Sequence, residues 1–410
     1  MSSELDLIFV QVNDKELDNF FLLLESIGIF GIDSDMVLII KTTDEIKSII
    51  EKSQLFHPRR IKFIVNNEDI QRPADLTRYL NRVESFATKK YKFLYLKNVI
   101  VKENLKHIFD KIAPDDKNMF VSPAAAAAGA KIILFTNSYT EDSGAGAPAA
   151  VTIDAQLIEN TFIFASTKEV LSGMIDKKIN DIVEKTKKYI QDKLLPLIEN
   201  IGEDLEGNIF SYNSSYNSCS FTDDFSDKRK NICYAVLNKL LCKNVAEIGF
   251  NSGFSTLLML ISNNNIQMTC FDLIYHKYTA PCFAAISADF PGRLVLIGGD
   301  SKKTFTGFID QISENDVFDV IHVDGSHRYM EVVYDIANSI KLAVKKNNHG
   351  SHIIIDDYDS PHINDVWNSY KEDGRCIVEK SRVYLHETRF QDIGFIRGGA
   401  VAVDDIVIKL

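Results

Sequence analysis

Two stretches decide the fold, VFDVIHVDGSH (Val317–His327) and HIIIDDYD (His352–Asp359), because each runs from apolar, β-branched residues into acidic ones. Such apolar runs are typical of strands that are buried on both faces of a parallel sheet. Each acidic cluster therefore follows the end of a strand, where open α/β sheets bind their ligands. If the two strands are neighbours, about 5 Å apart, Asp324, Asp356 and Asp357 converge on one point.

Three carboxylates at one point repel one another unless a cation joins them. Hard oxygen ligands suit Mg²⁺ or Ca²⁺, so Asp324, Asp356 and Asp357 are predicted to bind a divalent cation. His327 would stand beside that cation with a pKa in the range useful for proton transfer. The alternatives are purely structural: a turn at Asp324 and a helix cap at Asp356 and Asp357.

Composition limits the classes of protein. A chain of 410 residues with 45% hydrophobic content predicts two or three domains with ordinary cores. The net charge of −11 argues against a general nucleic-acid binder. We find no signal peptide and no window of roughly 20 apolar residues, so a membrane is not an expected partner. Six cysteines without a C-x-x-C pair favour free thiols in a reducing compartment. We expect a cytoplasmic protein, in the host cytoplasm or virion if it is viral.

A glycine loop follows another predicted strand. The segment NVAEIGFNSGFS (Asn244–Ser255) has the pattern E-x-G-x-x-x-G-x-S and leads into a predicted helix. Its glycines permit a tight turn and close approach of a ligand to the backbone. The spacing differs from the G-x-G-x-x-G of nicotinamide and flavin sites. Asp272 ends the next predicted strand about 20 residues later, where an acid can bind ribose hydroxyls. Asp300 ends a third one.

This ordered series resembles the class I S-adenosylmethionine-dependent methyltransferases. It is most similar to their branch of metal-dependent sugar and small-molecule O-methyltransferases, over roughly Lys228 to Glu379. The resemblance implies a Rossmann-like sheet with helices on both faces, S-adenosylmethionine as cofactor, and Mg²⁺ or another divalent cation. Phe250 and Asn251 depart from the small residues that are commoner in the glycine loop.

The resemblance also implies roles for individual residues. The implied cofactor-binding residues follow the first three strands and are Glu247, Gly249, Asn251, Gly253, Ser255, Asp272, Asp300 and Ser301. The implied metal ligands are Asp324, Asp356 and Asp357. Asp324 and His327 are the implied catalytic residues, with His327 as the general base.

The implied acceptor is a sugar hydroxyl of a glycan or glycoconjugate, such as a microbe or a large virus would build. One rival is methylation of a catechol-like small molecule with the same geometry. A second rival is a structural protein that retains the methyltransferase shell. Methylation of nucleic acid is disfavoured because the chain has no N-P-P-Y-type motif and no basic stripe. Assembly into a homo-oligomer is left open.

The first half of the chain alternates strands and helices, which predicts a further parallel α/β sheet. Its segment Asp75–Asp110 resembles the central part of GT-A glycosyltransferases. The two metal-binding aspartates of that family match Lys97 and Val99, so the resemblance implies a degenerate domain that serves as a scaffold or acceptor-binding module. A lysine can neutralise a diphosphate but cannot bind the cation.

The predicted domains are 1–185 (GT-A-like), 186–227 (a linking helix and a polar loop) and 228–410 (methyltransferase). Low-complexity, alanine-rich stretches at 124–130 and 145–150 are assigned no function.

Overall fold

The chain divides into two compact units in a computed structural model. The first comprises Met1–Met174 with Lys239–Leu241, and the second comprises Ile175–Asn238 with Cys242–Leu410. The described residues are 5–13, 16–32, 37–56, 61–65, 91–97, 99–103, 105–110, 119–121, 131–136, 150–152, 157–158, 161–163, 167–313, 316–345, 350–372, 378–380 and 388–396. The alanine-rich stretch 124–130, residues 145–149 of the second one, and half of the GT-A-like segment lie outside them. The predicted limits of the three domains stay a prediction.

The first unit is built on a mixed sheet. Its strands are β1 (Leu5–Gln11), β2 (Val37–Thr42), β3 (Ile61–Val65), β4 (Tyr91–Lys97), β5 (Ile100–Val101), β6 (Met119–Val121), β7 (Lys131–Thr136), β8 (Ala150–Thr152) and β9 (Phe162–Ile163). Its helices are α1 (Leu17–Ser26), continued by a π-helical turn (Ile27–Gly31), α2 (Asp44–Lys52) and α3 (Lys106–Phe109). The helix α4 (Lys168–Tyr189) contains the division between the units.

The sheet of the first unit has the order β3-β2-β1-β4-β7-β6-β8. Its first four strands are parallel, as the alternating pattern predicts, and β7 is antiparallel to both of its neighbours. Val99 is 1% exposed and belongs to the apolar core of this unit. That position therefore offers no metal ligand, which agrees with a degenerate domain. The GT-A likeness itself stays a prediction.

The second unit is built on a mostly parallel sheet. Its strands are β10 (Asn244–Ile248), β11 (Gln267–Asp272), β12 (Leu294–Gly298), β13 (Val320–Val323), β14 (Ser351–Asp356), β15 (Val378–Lys380) and β16 (Gln391–Ile396). Its helices are α5 (Leu195–Ile201), which follows a π-helical turn (Ile190–Leu194), α6 (Ser226–Leu237), α7 (Phe254–Ser262), α8 (Thr279–Asp289), α9 (Ser301–Gln311), α10 (Tyr329–Ala343) and α11 (Pro361–Glu372).

The strand order of this sheet, β12-β11-β10-β13-β14-β16-β15, positions the site. The chain runs outward from β10 to β12 and then returns to the other side of β10, so a topological switch point lies between β10 and β13. Ligands bind at such a point, outside the carboxyl ends of the strands. The strands β13 and β14 pair in parallel, which confirms that the two acidic stretches end side by side. The predicted α/β fold class is confirmed.

Apolar side chains explain the buried elements of the second unit. All six residues of β14 are buried, as its apolar run predicts. The helix α7 is apolar around most of its circumference and is buried as a core helix. Trp367 and Tyr370 of α11 are 0% and 3% exposed. Both are therefore core residues and not a platform for substrate. No helix within the described ranges is long and apolar enough to cross a membrane.

Candidate active site

A cavity of about 640 Å³ lies at the switch point of the second unit. Three segments line it: the glycine loop, the ends of β13 and β14, and the polar loop between α5 and α6. The predicted site residues that it brings together are Gly249, Asn251, Ser255, Asp324, His327, Asp356 and Asp357. The predicted residues outside its lining are Glu247, Gly253, Asp272, Asp300 and Ser301.

The glycine loop passes very close to the end of β13. Gly249 has φ +96°, and a Cβ added there would lie 1.9 Å from the carbonyl oxygen of Asp324. A hydrogen bond of 2.9 Å from the Asp324 amide to the Ile248 carbonyl holds the two segments together. The loop ends at Gly253, which has φ +76° and is the N-cap residue of α7. The first glycine is therefore needed for contact between backbones, in addition to any contact with a ligand.

Asp272 binds the backbone of the glycine loop through hydrogen bonds. One carboxylate oxygen accepts the amides of Phe250 and Asn251 at 2.9 and 2.8 Å, and the other accepts the amide of Ile274 at 2.6 Å. Its predicted role as the ribose ligand stays a prediction. Asn251 lies at the cavity wall with φ +51°, and its buried Oδ1 has no hydrogen-bond partner among the described residues. Asn251 belongs to the glycine loop, which the sequence resemblance predicts to hold the cofactor.

Glu247 lies inside the sheet, with 0% exposure. Its carboxylate accepts hydrogen bonds from Ser255 at 2.5 Å and from Thr256, and it lies 3.0 Å from Nδ1 of His322. These contacts satisfy the buried charge without a ligand. The predicted contact of Glu247 with the cofactor stays a prediction, and Ser255, which donates to Glu247, lines the cavity.

Asp300 and Ser301 begin α9 away from the cavity. The Asp300 side chain caps the helix by accepting the amide of Lys302 at 3.0 Å, which is the typical role of an acid at this position. The structure therefore accounts for Asp300 as a helix cap, and its predicted place near the adenine stays a prediction.

Lys228, which the sequence did not single out, lies among the strand-end acids. Its Nζ is 2.7 Å from Oδ1 of Asp356 and 3.0 Å from Oδ1 of Asp357. The other oxygen of Asp357 lies 2.8 Å from Nε2 of His327. Asp324, Asp356 and Asp357 therefore line one cavity, as predicted. In addition, Lys228 of α6 forms ion pairs with Asp356 and Asp357.

Charge and burial perturb the acids of this cluster. Burial, followed by repulsion from Asp356 and Asp357, raises the pKa of Asp324 to about 8. Burial would also raise the pKa of Asp357, but its hydrogen bond with His327 and the charge of Lys228 lower it to about 2. That hydrogen bond raises the pKa of His327 above its ordinary value. Asp357 is thus the ionised partner that orients His327.

His322 is a core histidine, as expected, with 0% exposure. Its Nδ1 contacts Glu247, and its Nε2 lies 3.8 Å from Asp356, which is an ion-pair distance too long for a hydrogen bond. Although burial opposes its charge, these acidic neighbours raise the pKa of His322 to about 10. His322 therefore connects the acid of β10 to the cluster at the end of β14.

The buried Asp335 of α10 is expected to make the stability of the protein depend on pH. It is 2% exposed, and burial raises its pKa to about 7, so the folded protein keeps its proton where the unfolded chain has lost it. Stability from this group is complete below about pH 4 and is lost as the pH rises to 7, at about 1.4 kcal/mol per pH unit. We expect Asp335→Asn to flatten this decline and to raise the melting temperature at pH 8. Urea unfolding from pH 5 to 8 measures the decline in the free energy of unfolding, and thermal unfolding at pH 8 measures the melting temperature. An unchanged slope in Asp335→Asn would contradict the prediction.

The loop between α5 and α6 supplies residues that the sequence predicted only to lie within a linking helix and a polar loop. Glu206 accepts a hydrogen bond from Asn251 Nδ2 at 3.0 Å. His276 lies 2.8 Å from Glu203 and 3.1 Å from Glu206. The loop is thus fastened to the glycine loop and to the segment after β11. Its serine and asparagine content predicted a loop, but no local pattern marked these partners.

Comparison with known proteins gives three results. No curated protein matches the chain. Residues 246–358 match the family model described as "Methyltransferase domain". Among solved structures, the chain is similar to a putative O-methyltransferase from Klebsiella pneumoniae (15% identity, 40% of this chain and 77% of that chain, TM-score 0.30). It is also similar to an S-adenosylhomocysteine-bound methyltransferase from Podospora anserina (16%, 43% and 79%, 0.32) and to an O-methyltransferase from Bacillus cereus in complex with S-adenosylhomocysteine (11%, 54% and 91%, 0.34).

The family match covers the strands from β10 to β14, together with the glycine loop and all of the strand-end acids. The second unit therefore contains a methyltransferase domain, and the prediction of a methyltransferase enzyme is confirmed.

Proposed function

We propose that the protein is an S-adenosylmethionine-dependent O-methyltransferase that acts on a sugar hydroxyl of a glycan or glycoconjugate. One observation carries this proposal: the glycine loop and the His327–Asp357 pair line the same cavity. Its volume of about 640 Å³ is typical of sites for small molecules and cofactors. A hydroxyl in this cavity would lie within reach of both the cofactor side and the histidine.

The residues present fit the cofactor. The unpartnered Asn251 Oδ1 can accept a hydrogen bond from an amino or hydroxyl group. Ionised carboxylates line the same cavity, including Glu206 and Asp357, and their negative charge favours a cationic ligand. S-adenosylmethionine, when bound, would supply the electrophilic methyl group on its positively charged sulfur.

The chain's own part in the reaction is to bind the acceptor and take its proton. Asp357 lies 2.8 Å from Nε2 of His327, so that nitrogen carries the proton of the pair and Nδ1 is left to accept another. The hydroxyl proton of the acceptor would pass to Nδ1 of His327 as the acceptor oxygen takes the methyl group. The bond from that methyl group to sulfur would break, with its electron pair left on a neutral thioether. A positioned base of this kind typically contributes about 10²–10⁴-fold to the rate.

Mg²⁺ or another divalent cation at Asp324, Asp356 and Asp357 stays a prediction from the sequence. Carboxylate oxygens are suitable donors for such an ion. The contacts do not fit it, because the ammonium of Lys228 already lies against two of the three carboxylates. Within the described chain, the donors lying within 4.8 Å of one another belong to His322, Asp324 and Asp356, and not to Asp357. The mechanism above therefore has no step that uses a metal.

A sugar acceptor is favoured by the polar wall of the cavity. Asn208, Tyr212, Asn213 and Asp359 line it beside the acids, and these groups can bind several hydroxyls at once. The predicted GT-A likeness of the first unit also points to glycan chemistry. A catechol-like acceptor is the rival, since the same base would serve it.

Calorimetric titration of S-adenosylmethionine into the full-length protein tests the proposal. We expect binding, and we expect Asn251→Ala to weaken it about tenfold because one buried hydrogen bond is lost. Asn264→Ala, at an exposed position, is the matched control. Transfer of a tritiated methyl group to saccharides but not to catechols would support the acceptor class. No binding at high micromolar concentration would exclude the enzyme, and transfer to catechols alone would exclude the sugar acceptor.

A further inference from the structure

Lys228 is held in a site built from both charge and aromatic rings. It lies in the first turn of α6 and is only 6% exposed. Besides its contacts with Asp356 and Asp357, its Nζ lies 5.4 Å from the ring centre of Phe225 and 5.7 Å from that of Phe390. Aromatic faces at such distances attract cations. Two carboxylates and two rings thus select a positive charge at this point.

Removing this charge would leave a strongly unfavourable arrangement. Asp356 is 2% exposed, and Asp324 and Asp357 lie beside it at the same cavity. Removing one partner of a buried ion pair strongly destabilises typical proteins, because it leaves an uncompensated buried charge. The cluster therefore needs a cation, and the polypeptide supplies one in the structure.

We propose that Lys228 is the resident cation of this cluster, in the place where a divalent metal ion was predicted, and that the protein transfers methyl groups without such an ion. This inference rests on the proposed function. Lys228 is a positioning residue in it: it binds Asp357, and Asp357 in turn binds His327 at 2.8 Å. The lysine thereby fixes the orientation of the proposed base.

The carboxylate oxygens themselves leave little room for a metal ion. Oδ1 of Asp356 and Oδ1 of Asp357 contact Lys228, while Oδ2 of Asp357 contacts His327. Oδ2 of Asp356 faces His322 at 3.8 Å. A bound Mg²⁺ would lie about 2.1 Å from such oxygens and would have to displace these nitrogens. A permanent ammonium and a divalent ion cannot share the position without strong repulsion.

Binding of Mn²⁺ to the full-length protein, followed by electron paramagnetic resonance and calorimetry, tests the inference without any acceptor. We expect no binding to the wild type at millimolar Mn²⁺. A separate transfer assay, with a saccharide acceptor added, is expected to give full activity in excess chelator. Lys228→Met leaves the carboxylates uncompensated, so we expect it to gain Mn²⁺ affinity by about tenfold or more. Lys228→Arg restores the charge and is expected to remove this gain.

Lys345→Met is the matched control. Lys345 is 5% exposed, like Lys228, but its Nζ binds the carbonyls of Ile309 and Ile312 at 3.1 and 3.0 Å. Its removal should lower stability without any gain in Mn²⁺ affinity. If Lys228→Met does not fold, Lys228→Gln and the wild type still give the metal measurement.

Tight Mn²⁺ binding by the wild type would overturn the inference. Equal Mn²⁺ affinity of the wild type, Lys228→Met and Lys228→Arg would also overturn it. Failure of the proposed function is a separate result, since it shows as absence of S-adenosylmethionine binding whatever the metal does. A gain of Mn²⁺ affinity in Lys228→Met would still identify the lysine as the cation of the cluster in that case.

Discussion

Replacement of His327 by alanine is expected to slow methyl transfer by about 10²–10⁴-fold while the affinity for S-adenosylmethionine changes little. The histidine contacts Asp357 and lines the cavity, and it is not one of the predicted cofactor-binding residues. Its loss removes the proton acceptor and leaves the cofactor side intact. Transfer of a tritiated methyl group to the best saccharide and calorimetric titration of the cofactor measure the two effects separately.

The pH dependence sharpens this expectation. The pKa of His327 is raised by its hydrogen bond with Asp357, so the neutral ring that accepts a proton becomes abundant only above the ordinary value for histidine. Wild-type activity should therefore rise with pH through this range, and that rise should vanish in His327→Ala. His362→Ala is the control, because His362 is exposed and is not part of the cavity lining; its Nδ1 lies 3.3 Å from the backbone carbonyl of His327, and its ring packs edge-to-face against Tyr329. Equal losses in the two variants would contradict a role for His327 as base.

Gly249→Ala is expected to abolish cofactor binding and to destabilise the second unit by about 1–3 kcal/mol or more. The new Cβ would lie 1.9 Å from the carbonyl oxygen of Asp324, at a φ of +96° that side chains rarely adopt. Both backbones would have to move, and the carboxylate cluster would move with them. Thermal unfolding and cofactor titration check the two effects.

The same substitution at Gly307 is the control with the opposite sign. Gly307 lies inside α9, and a Cβ there meets nothing within 4 Å. Glycine is about 1 kcal/mol less favourable than alanine in a helix, so Gly307→Ala should be slightly stabilising. If Gly249→Ala bound the cofactor normally and unfolded like the wild type, the close approach of the loop to β13 would be of no importance.

Much of the second unit could be predicted because its signals are local. The apolar runs of β13 and β14 predicted neighbouring strands, and the acids after them do share one cavity. The glycine pattern predicted a tight turn, and Gly249 and Gly253 have positive φ values. Apolar strands and glycine turns depend on residues that are consecutive in the chain. Such features can therefore be predicted from the sequence.

The contacts of Lys228 could not be predicted in this way. The lysine precedes Asp356 by more than a hundred residues, and the segment SDKRK around it reads as an ordinary solvated helix start. Only the packing of α6 reveals that Lys228 and Arg229 are buried while Lys230 is exposed, and that it is Lys228 that contacts the acids. Glu247 shows the converse: its position in a motif predicts contact with a ligand, whereas burial directs its carboxylate to Ser255, Thr256 and His322.

The buried series from Glu247 through His322, Asp356 and Lys228 to Asp357 has a consequence for engineering this protein. Replacing buried ions by well-packed apolar side chains often makes proteins more stable. Here the same ions position the proposed base. Replacing them by apolar side chains would therefore raise thermal stability but lower the rate of methyl transfer. Stabilising changes are better sought on the exposed helices of the second unit than along this line of charges.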